Sequence, residues 1–117
     1  MSAKLEALRA LKPALEFVDV TIAGVDGPLR LKALNAGQLL ELRAEVMAAP
    51  LERREITTSI LSVLYTAVND DGSRLFESRQ QIEELPPDVF IAISEAATKV
   101  LGVLPAEAAK NSPANPN

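Results

Sequence analysis

The spacing of apolar residues changes along the chain, and this change limits the folds that the sequence can adopt. In LEFVDVTIAG (residues 15–24) and in PLRLKAL (residues 28–34), every second side chain is aliphatic, which is typical of strands with one buried face. The dipeptide Asp26-Gly27 between them favours a tight turn. These features predict a β-hairpin in which residues about 16–23 pair with residues about 28–34.

Helical spacing replaces the alternation after the hairpin. Apolar residues recur three or four positions apart from Asn35 to about Ala48, and again from Pro50 to about Val68. We also predict a short helix in SRQQIEEL, a longer one in PPDVFIAISEAATKVLG and a last short one in PAEAAKN. The predicted fold class is α+β, mostly helical, with an N-terminal β-hairpin followed by about four helices.

The two ends of the chain differ from its middle. Residues 2–12 have a leucine at every third position, the spacing of a narrow amphipathic helix, and a proline ends the pattern. We therefore predict an N-terminal helical arm over residues 1–14 and a single hairpin-plus-helices domain over residues 15–110. The polar, proline-bearing segment SPANPN predicts a disordered C-terminal tail over residues 111–117.

The composition excludes several kinds of function. The 117 residues include no cysteine and no histidine, which excludes thiolate chemistry, disulfides, imidazole catalysis and the usual zinc sites. A net charge of −4 with scattered Lys and Arg disfavours nucleic acid as a partner. No apolar stretch approaches the ~20 residues of a membrane helix, so no membrane partner is expected. We expect no cofactor, no metal site and no enzymatic activity.

The acidic stretch VNDDGSRLFE, residues 68–77, allows two interpretations. In a calcium loop with Gly72 as the sixth residue, the first and twelfth positions would be Ala67 and Ser78, which cannot supply the required carboxylates. A turn fits better, because Asp accepts local backbone hydrogen bonds and glycine adopts positive φ. We therefore predict a turn, after which Leu75 and Phe76 re-enter the core.

Two helices carry features that a partner could use. Leu39, Leu42 and Val46 form an apolar stripe, and Arg43 lies within the same arc. Arg43 either covers apolar surface with its aliphatic stem or meets a carboxylate of a partner. The helix predicted over residues 50–68 is apolar on most sides, which indicates a central core helix or a helix shared with a neighbouring subunit.

Taken in order, these segments resemble the tail assembly chaperones of long-tailed (siphovirus) bacteriophages. The hairpin FVDVTIAGVDGPLRLKAL leads into the helix NAGQLLELRAEV, and a long apolar helix ends in VNDDGSRLF. The acidic segment IEEL, the helix PDVFIAISEAATKVLG and a terminal AAKN follow. DDGSRLF and AAKN are the most specific of these elements, whereas the first helix and the double proline are not marks of the family.

The resemblance implies a non-enzymatic role in virion assembly. Proteins of this family bind the tape measure protein, keep its helical segments soluble and help tail tube subunits to assemble around it. They are expected to act as homo-oligomers in the host bacterial cytoplasm and to be absent from the mature virion. For this chain we select Leu39, Arg43, Val46, Leu75 and Phe76 as candidate partner-binding residues.

The family also makes a longer product by a −1 ribosomal frameshift near the end of the gene. Here Ala109, Lys110 and Asn111 can be encoded as GCA AAA AAC, which contains the slippery heptamer A AAA AAC. The longer form would carry a different C-terminal domain and contact the tail tube protein. Three other interpretations stay open: a structural tail or head-tail component retained in the virion, a cellular adaptor, and an enzyme.

Overall fold

The computed structural model describes residues 2–13 and 15–102, and its elements follow the two periodicities of the sequence. In chain order these are α1 (Ala3–Ala10), β1 (Phe17–Val20), β2 (Leu29–Lys32), α2 (Ala36–Ala48), a 3₁₀ turn (Leu51–Arg53), α3 (Arg54–Thr66), β3 (Ala67–Val68), α4 (Arg79–Glu83) and α5 (Pro87–Leu101). The fold is α+β and mostly helical, and an N-terminal hairpin precedes the larger helices, as predicted.

β1 and β2 form the predicted antiparallel hairpin, although both are shorter than the sequence pattern suggested. Val18 lies opposite Leu31, and Asp19 lies opposite Arg30. Leu31 is fully buried, whereas on the other face the Arg30 Nε lies 3.0 Å from the Asp19 Oδ1 in an exposed ion pair. Gly27 adopts a φ of +78° in the connecting turn, a conformation that favours glycine.

A third strand, β3, adds to the hairpin and corrects the predicted end of the long helix. The sequence predicted a helix to about Val68, but α3 ends at Thr66. Ala67 is extended, with φ −69° and ψ 126°, and β3 pairs antiparallel with β2, so that Ala67 lies opposite Leu31. β3 pairs with β2 instead of continuing α3 because strand pairing satisfies the backbone N–H and C=O groups along the open edge of β2.

The predicted helix after the hairpin is confirmed as α2, and its first residues show why it begins there. The backbone N–H of Gln38 donates to Asn35 Oδ1 at 2.8 Å, and the N–H of Asn35 donates to Gln38 Oε1 at 3.0 Å. This reciprocal capping box satisfies two donors that an uncapped helix would leave without partners.

α3 is the central helix of the domain, as the sequence predicted. Seven of its thirteen residues are buried, and it packs against α2, α4 and α5. Two of its buried hydroxyls are satisfied within the helix: Ser62 Oγ donates to the carbonyl oxygen of Thr58, and Thr66 Oγ1 to that of Ser62, each at 2.6 Å. Side chains this small allow other elements to approach the helix closely.

The last two helices, α4 and α5, match their predictions. α5 begins with Pro87 at a position where no N–H is required, and Lys99 lies in its last turn. Gly102 follows with φ +80° and ends the helix. α5 packs on α3 and on the sheet, so the sheet and these two helices surround the main core.

The buried apolar side chains form two clusters. The main cluster lies between the sheet, α3, α4 and α5, and a smaller one joins α2 to α3. The main cluster contains Leu31, Ile60, Val63, Ala67, Phe76, Ile82, Ile93, Ala96, Ala97 and Val100, and the smaller contains Leu42, Leu61 and Tyr65. The helical arm is present as α1, and none of its residues is buried.

Candidate protein-interaction surface

The structure divides the five predicted partner-binding residues between the surface and the core. Leu39 and Arg43 are exposed on α2, and Val46 is half-buried against the smaller cluster. Phe76 is only 9 % exposed and belongs to the main cluster, against which Leu75 also packs. Leu75 and Phe76 therefore re-enter the core as the turn prediction required, and they do not share one surface with the α2 residues.

A continuous exposed surface does exist on α2. Leu40, Arg43 and Met47 are spaced three and four residues apart and so lie on one side of the helix, with Leu39 beside them. Leu40 is 63 % exposed and Met47 is 57 % exposed. We call these four residues the α2 surface; it presents a charged group among apolar side chains.

The opposite side of α2 is attached to α3 and holds the α2 surface in place. Leu42 is 1 % exposed and packs with Leu61 and Tyr65, and Val46 packs against the same cluster. Leu42 and Val46 are one helical turn apart, so they face the same neighbour. The α2 surface is therefore presented by a helix whose orientation is fixed by packing and by its capping box.

A polar group beside this cluster adds a second attachment between the two helices. The Tyr65 hydroxyl on α3 donates to Glu45 Oε1 on α2, and Arg79 Nη2 lies 3.4 Å from Glu45 Oε2. The Arg74 guanidinium lies 4.4 Å from the centroid of the Tyr65 ring. Burial of the phenol, and then its hydrogen bond to the Glu45 carboxylate, raise the pKa of Tyr65 to about 12.

A second apolar feature is a groove between the start of α3, α4 and the start of α5. It has a volume of about 290 Å³, and we call it the α3–α5 groove. Ile56, on its wall, is 44 % exposed, although the sequence pattern placed this residue on the apolar face of the core helix. The groove is lined by Arg53, Ile56, Ile60, Ile82, Glu83, Leu85, Pro87 and Phe90.

The acidic stretch after β3 is a hairpin turn, as predicted. The N–H of Gly72 donates to the carbonyl oxygen of Asn69 at 2.9 Å, and Gly72 has a φ of +90°. Asp71 Oδ1 accepts from both the N–H and the hydroxyl of Ser73, which lowers the pKa of Asp71. Val68 then forms a bridge with Arg74. Within the described residues no group of three or more acidic side chains could hold a metal ion.

Sequence reasoning missed Leu40, Met47 and Ile56 as candidates. Leu40 and Met47 lie beside the apolar stripe formed by Leu39, Leu42 and Val46. Helical periodicity alone did not show which of these apolar residues face the core. Ile56 lies directly after a charged run, LERRE, which signals a helix end close to solvent. The predicted frameshift residues Ala109, Lys110 and Asn111 lie outside the described residues, as do the last predicted helix and the tail.

Comparisons with protein-family models, with curated proteins and with solved structures found no match to this chain. None of the helices in the described part of the chain is both long and apolar enough to cross a membrane. The features available for a functional proposal are therefore the two apolar surfaces, their charges and the sequence motifs.

Proposed function

We propose that this protein is a tail assembly chaperone of a long-tailed bacteriophage, and that its α2 surface binds helical segments of the tape measure protein. The α2 surface carries the proposal. It presents Leu39, Leu40 and Met47 to solvent on a helix that is capped and packed on its other side. The motifs DDGSRLF and AAKN supply the resemblance to the chaperone family.

The spacing on α2 suits a helical client. Apolar anchors at positions i, i+3 and i+7 are the pattern by which an amphipathic helix docks on an apolar surface. Leu40 and Met47 lie at the ends of such a pattern, with Arg43 between them. The client helix would cover the two apolar side chains and place a carboxylate near the Arg43 guanidinium, whose planar fork donates two parallel N–H hydrogen bonds to a carboxylate.

The charge of the chain fits a role in holding an apolar client in solution. A net charge of −4 keeps the complexes repelling one another. In this proposal the chaperone acts in the host cytoplasm as a homo-oligomer and leaves before the virion is complete. Mass spectrometry of purified virions separates it from the alternative, a structural tail component, which would be found in the particles.

Co-expression with the tape measure protein tests the proposal. The double substitution Leu40→Gln and Met47→Gln removes the apolar anchors without changing the net charge or introducing a poor helix former. A matched control, Val25→Gln with Ile91→Gln, makes the same change at residues that are 52 % and 54 % exposed elsewhere.

The wild type and the control are expected to keep the tape measure protein in the supernatant, and the α2 double variant is expected to leave most of it in the pellet. Full burial of an apolar side chain contributes about 1.5–3 kcal/mol, and Leu40 and Met47 have 63 % and 57 % of their surface left to bury, so losing both weakens binding at least about tenfold. Equal solubility with the two double variants would contradict the α2 surface as the client site. An insoluble client with the wild type would contradict the chaperone role.

The proposed function includes a longer product made by a −1 frameshift at the codons for Ala109, Lys110 and Asn111. In this form an additional C-terminal domain recruits the tail tube protein to the bound tape measure protein. The gene sequence tests the site directly, because an AAG codon for Lys110 or an AAT codon for Asn111 removes the slippery heptamer. With the heptamer present, expression should yield a second, longer polypeptide sharing the same N-terminal peptides.

A further inference from the structure

No element in the described part of the chain covers the apolar residues of the N-terminal helix α1. Leu8 is 65 % exposed, Leu11 is 71 % exposed, and no residue of α1 is buried. The helix is nevertheless well started, because the Ser2 hydroxyl accepts from the N–H of Leu5 at 3.1 Å. A helix of eight residues is marginal in water by itself, and burial of its leucine stripe would stabilise it.

The α3–α5 groove is the complementary feature. Its walls are apolar side chains of three helices, and Ile56 stands partly exposed at its side. Such a groove is the usual receiving site for an amphipathic helix. Among the described residues of one copy, none fills the groove and no residue of α1 is buried, so α1 and the groove do not cover each other within the same copy.

The charges of the two features are opposite. Residues 2–12 carry three basic side chains and one acidic one, although the whole chain has 16 acidic against 12 basic residues. The segments that form the groove are net acidic: Glu83 lines it, and four more carboxylates stand next to lining residues in the sequence, against Arg53 of the lining and the adjacent Arg54. Those four carboxylates belong to Glu52, Glu55, Glu84 and Asp88, all of them exposed.

We propose that α1 of one copy occupies the α3–α5 groove of a second copy, with its leucines against Ile56 and Phe90 and its basic groups against the acidic rim. This contact joins copies of the chain and needs no client. It rests on the homo-oligomer of the proposed function and gives that oligomer its contact, but it uses a surface separate from the α2 surface, so self-association through α1 and client binding at α2 can fail separately.

Two variants test this contact by complementation. Leu8→Glu places a carboxylate on α1 facing an acidic rim, and Ile56→Lys places a cation in the groove facing a basic helix. Both residues are exposed in the single copy, so thermal unfolding should confirm that each variant folds. Val25→Glu and Ile91→Lys make the same kinds of change at exposed positions outside α1, the groove and the α2 surface, and serve as controls.

Light scattering coupled to gel filtration, over a range of concentrations, gives the mass of each species. The wild type and both controls should self-associate, and the two variants should be monomers. A mixture of the two variants should contain a complex of two chains, because one partner keeps an intact groove and the other an intact arm. Self-association of the wild type should weaken as salt is raised, since opposite charges are screened.

Three results would overturn the proposal. The first is a wild type that stays monomeric at every concentration. This includes the case in which α1 binds the groove of its own chain, because the contact would then not join two copies. The second is self-association that survives either substitution. The third is a mixture of the two variants that stays monomeric although each variant is folded.

Discussion

α2 and α3 are consecutive helices of thirteen residues each, and the domain uses them in opposite ways. α2 buries one residue, Leu42, whereas α3 buries seven. Their content of large apolar side chains is nevertheless similar, five in α2 and six in α3. Apolar content alone therefore does not decide which helix becomes core. α3 is covered because it has neighbours on several sides, whereas α2 packs mainly against α3 in the described part of the chain.

This difference assigns separate roles to the two helices. α3 provides the free energy that holds the fold, because its side chains belong to both apolar clusters. α2 packs on α3 through Leu42, whereas Leu39, Leu40 and Met47 are exposed to solvent. Exposed apolar side chains that are scattered need no explanation, but several on one helix face are the observation on which we base the proposed client site.

The largest predicted effect separates the helices by alanine substitution. Leu61→Ala on α3 should lower the free energy of unfolding by about 2–5 kcal/mol, because it leaves a cavity at a fully buried position. Leu40→Ala on α2 should change it by less than about 0.5 kcal/mol. Urea unfolding followed by circular dichroism measures the free energy of unfolding of both variants. An equal loss for the two variants would contradict the distinction between a buried α3 and an exposed α2.

The contact between the helices should be visible in the titration of Tyr65. The chain has one tyrosine and no tryptophan, so the ultraviolet absorbance of the phenolate reports on Tyr65 alone. The folded protein should titrate with a pKa of about 12. Because this pKa is raised above the ordinary value of ~10, the associated stability is complete below pH ~10 and is lost as pH rises through about 12.

Glu45→Gln sharpens this prediction. The substitution removes the negative charge of Glu45 and weakens its hydrogen bond, so the pKa of Tyr65 should fall. It should stay above the ordinary value, since burial is the larger cause of the shift. A folded wild type whose Tyr65 titrates at the ordinary value would show that Tyr65 and Glu45 do not join α2 to α3.

A smaller effect is expected at the start of α2, which has little burial and relies on its cap. Asn35→Ala removes the side-chain acceptor of the capping box and should lower the free energy of unfolding by about 1 kcal/mol. Ser2→Ala removes a similar cap from α1 but should not change global unfolding, because α1 buries nothing. Equal effects from the two substitutions, by thermal unfolding of the monomer, would contradict the importance of the α2 cap.

The smallest effect is a gain in stability at Gly37. Gly37→Ala should raise the free energy of unfolding by about 0.5–1 kcal/mol, because alanine loses less backbone entropy in a helix. The new methyl group would lie 3.4 Å from Asn35 Oδ1, an acceptable contact. Gly72→Ala is the control of opposite sign: its φ of +90° should make the same substitution destabilising by about 1–2 kcal/mol. A loss at both glycines would indicate that α2 cannot accommodate the methyl group.

The parts of the fold that the sequence predicted are those set by local chemistry. Asp26-Gly27 located the hairpin turn, Pro87 and Gly102 bounded α5, and Asp71-Gly72 marked the acidic turn. β3 was missed because two residues are too few to show a period, and its pairing depends on β2, which is distant in sequence.

The candidate site was predicted only in part, for the same reason. The α2 helix and Arg43 were selected from the helical wheel, but the wheel does not show which side a neighbouring helix covers. Leu75 and Phe76 were selected as candidate partner-binding residues, yet the turn before them directs Phe76 into the main cluster. The division of apolar residues between surface and core is decided by tertiary packing, which helical periodicity alone cannot resolve.

The most direct test of the account is a nuclear magnetic resonance titration of the labelled protein with amphipathic peptides from the tape measure protein. If α2 binds the client, amide and methyl shifts should change on the exposed face of α2, centred on Leu40, Arg43 and Met47, while those of the α3–α5 groove stay unchanged. No shift with any peptide, or shifts confined to the groove, would contradict the claim that α2 is the client-binding helix.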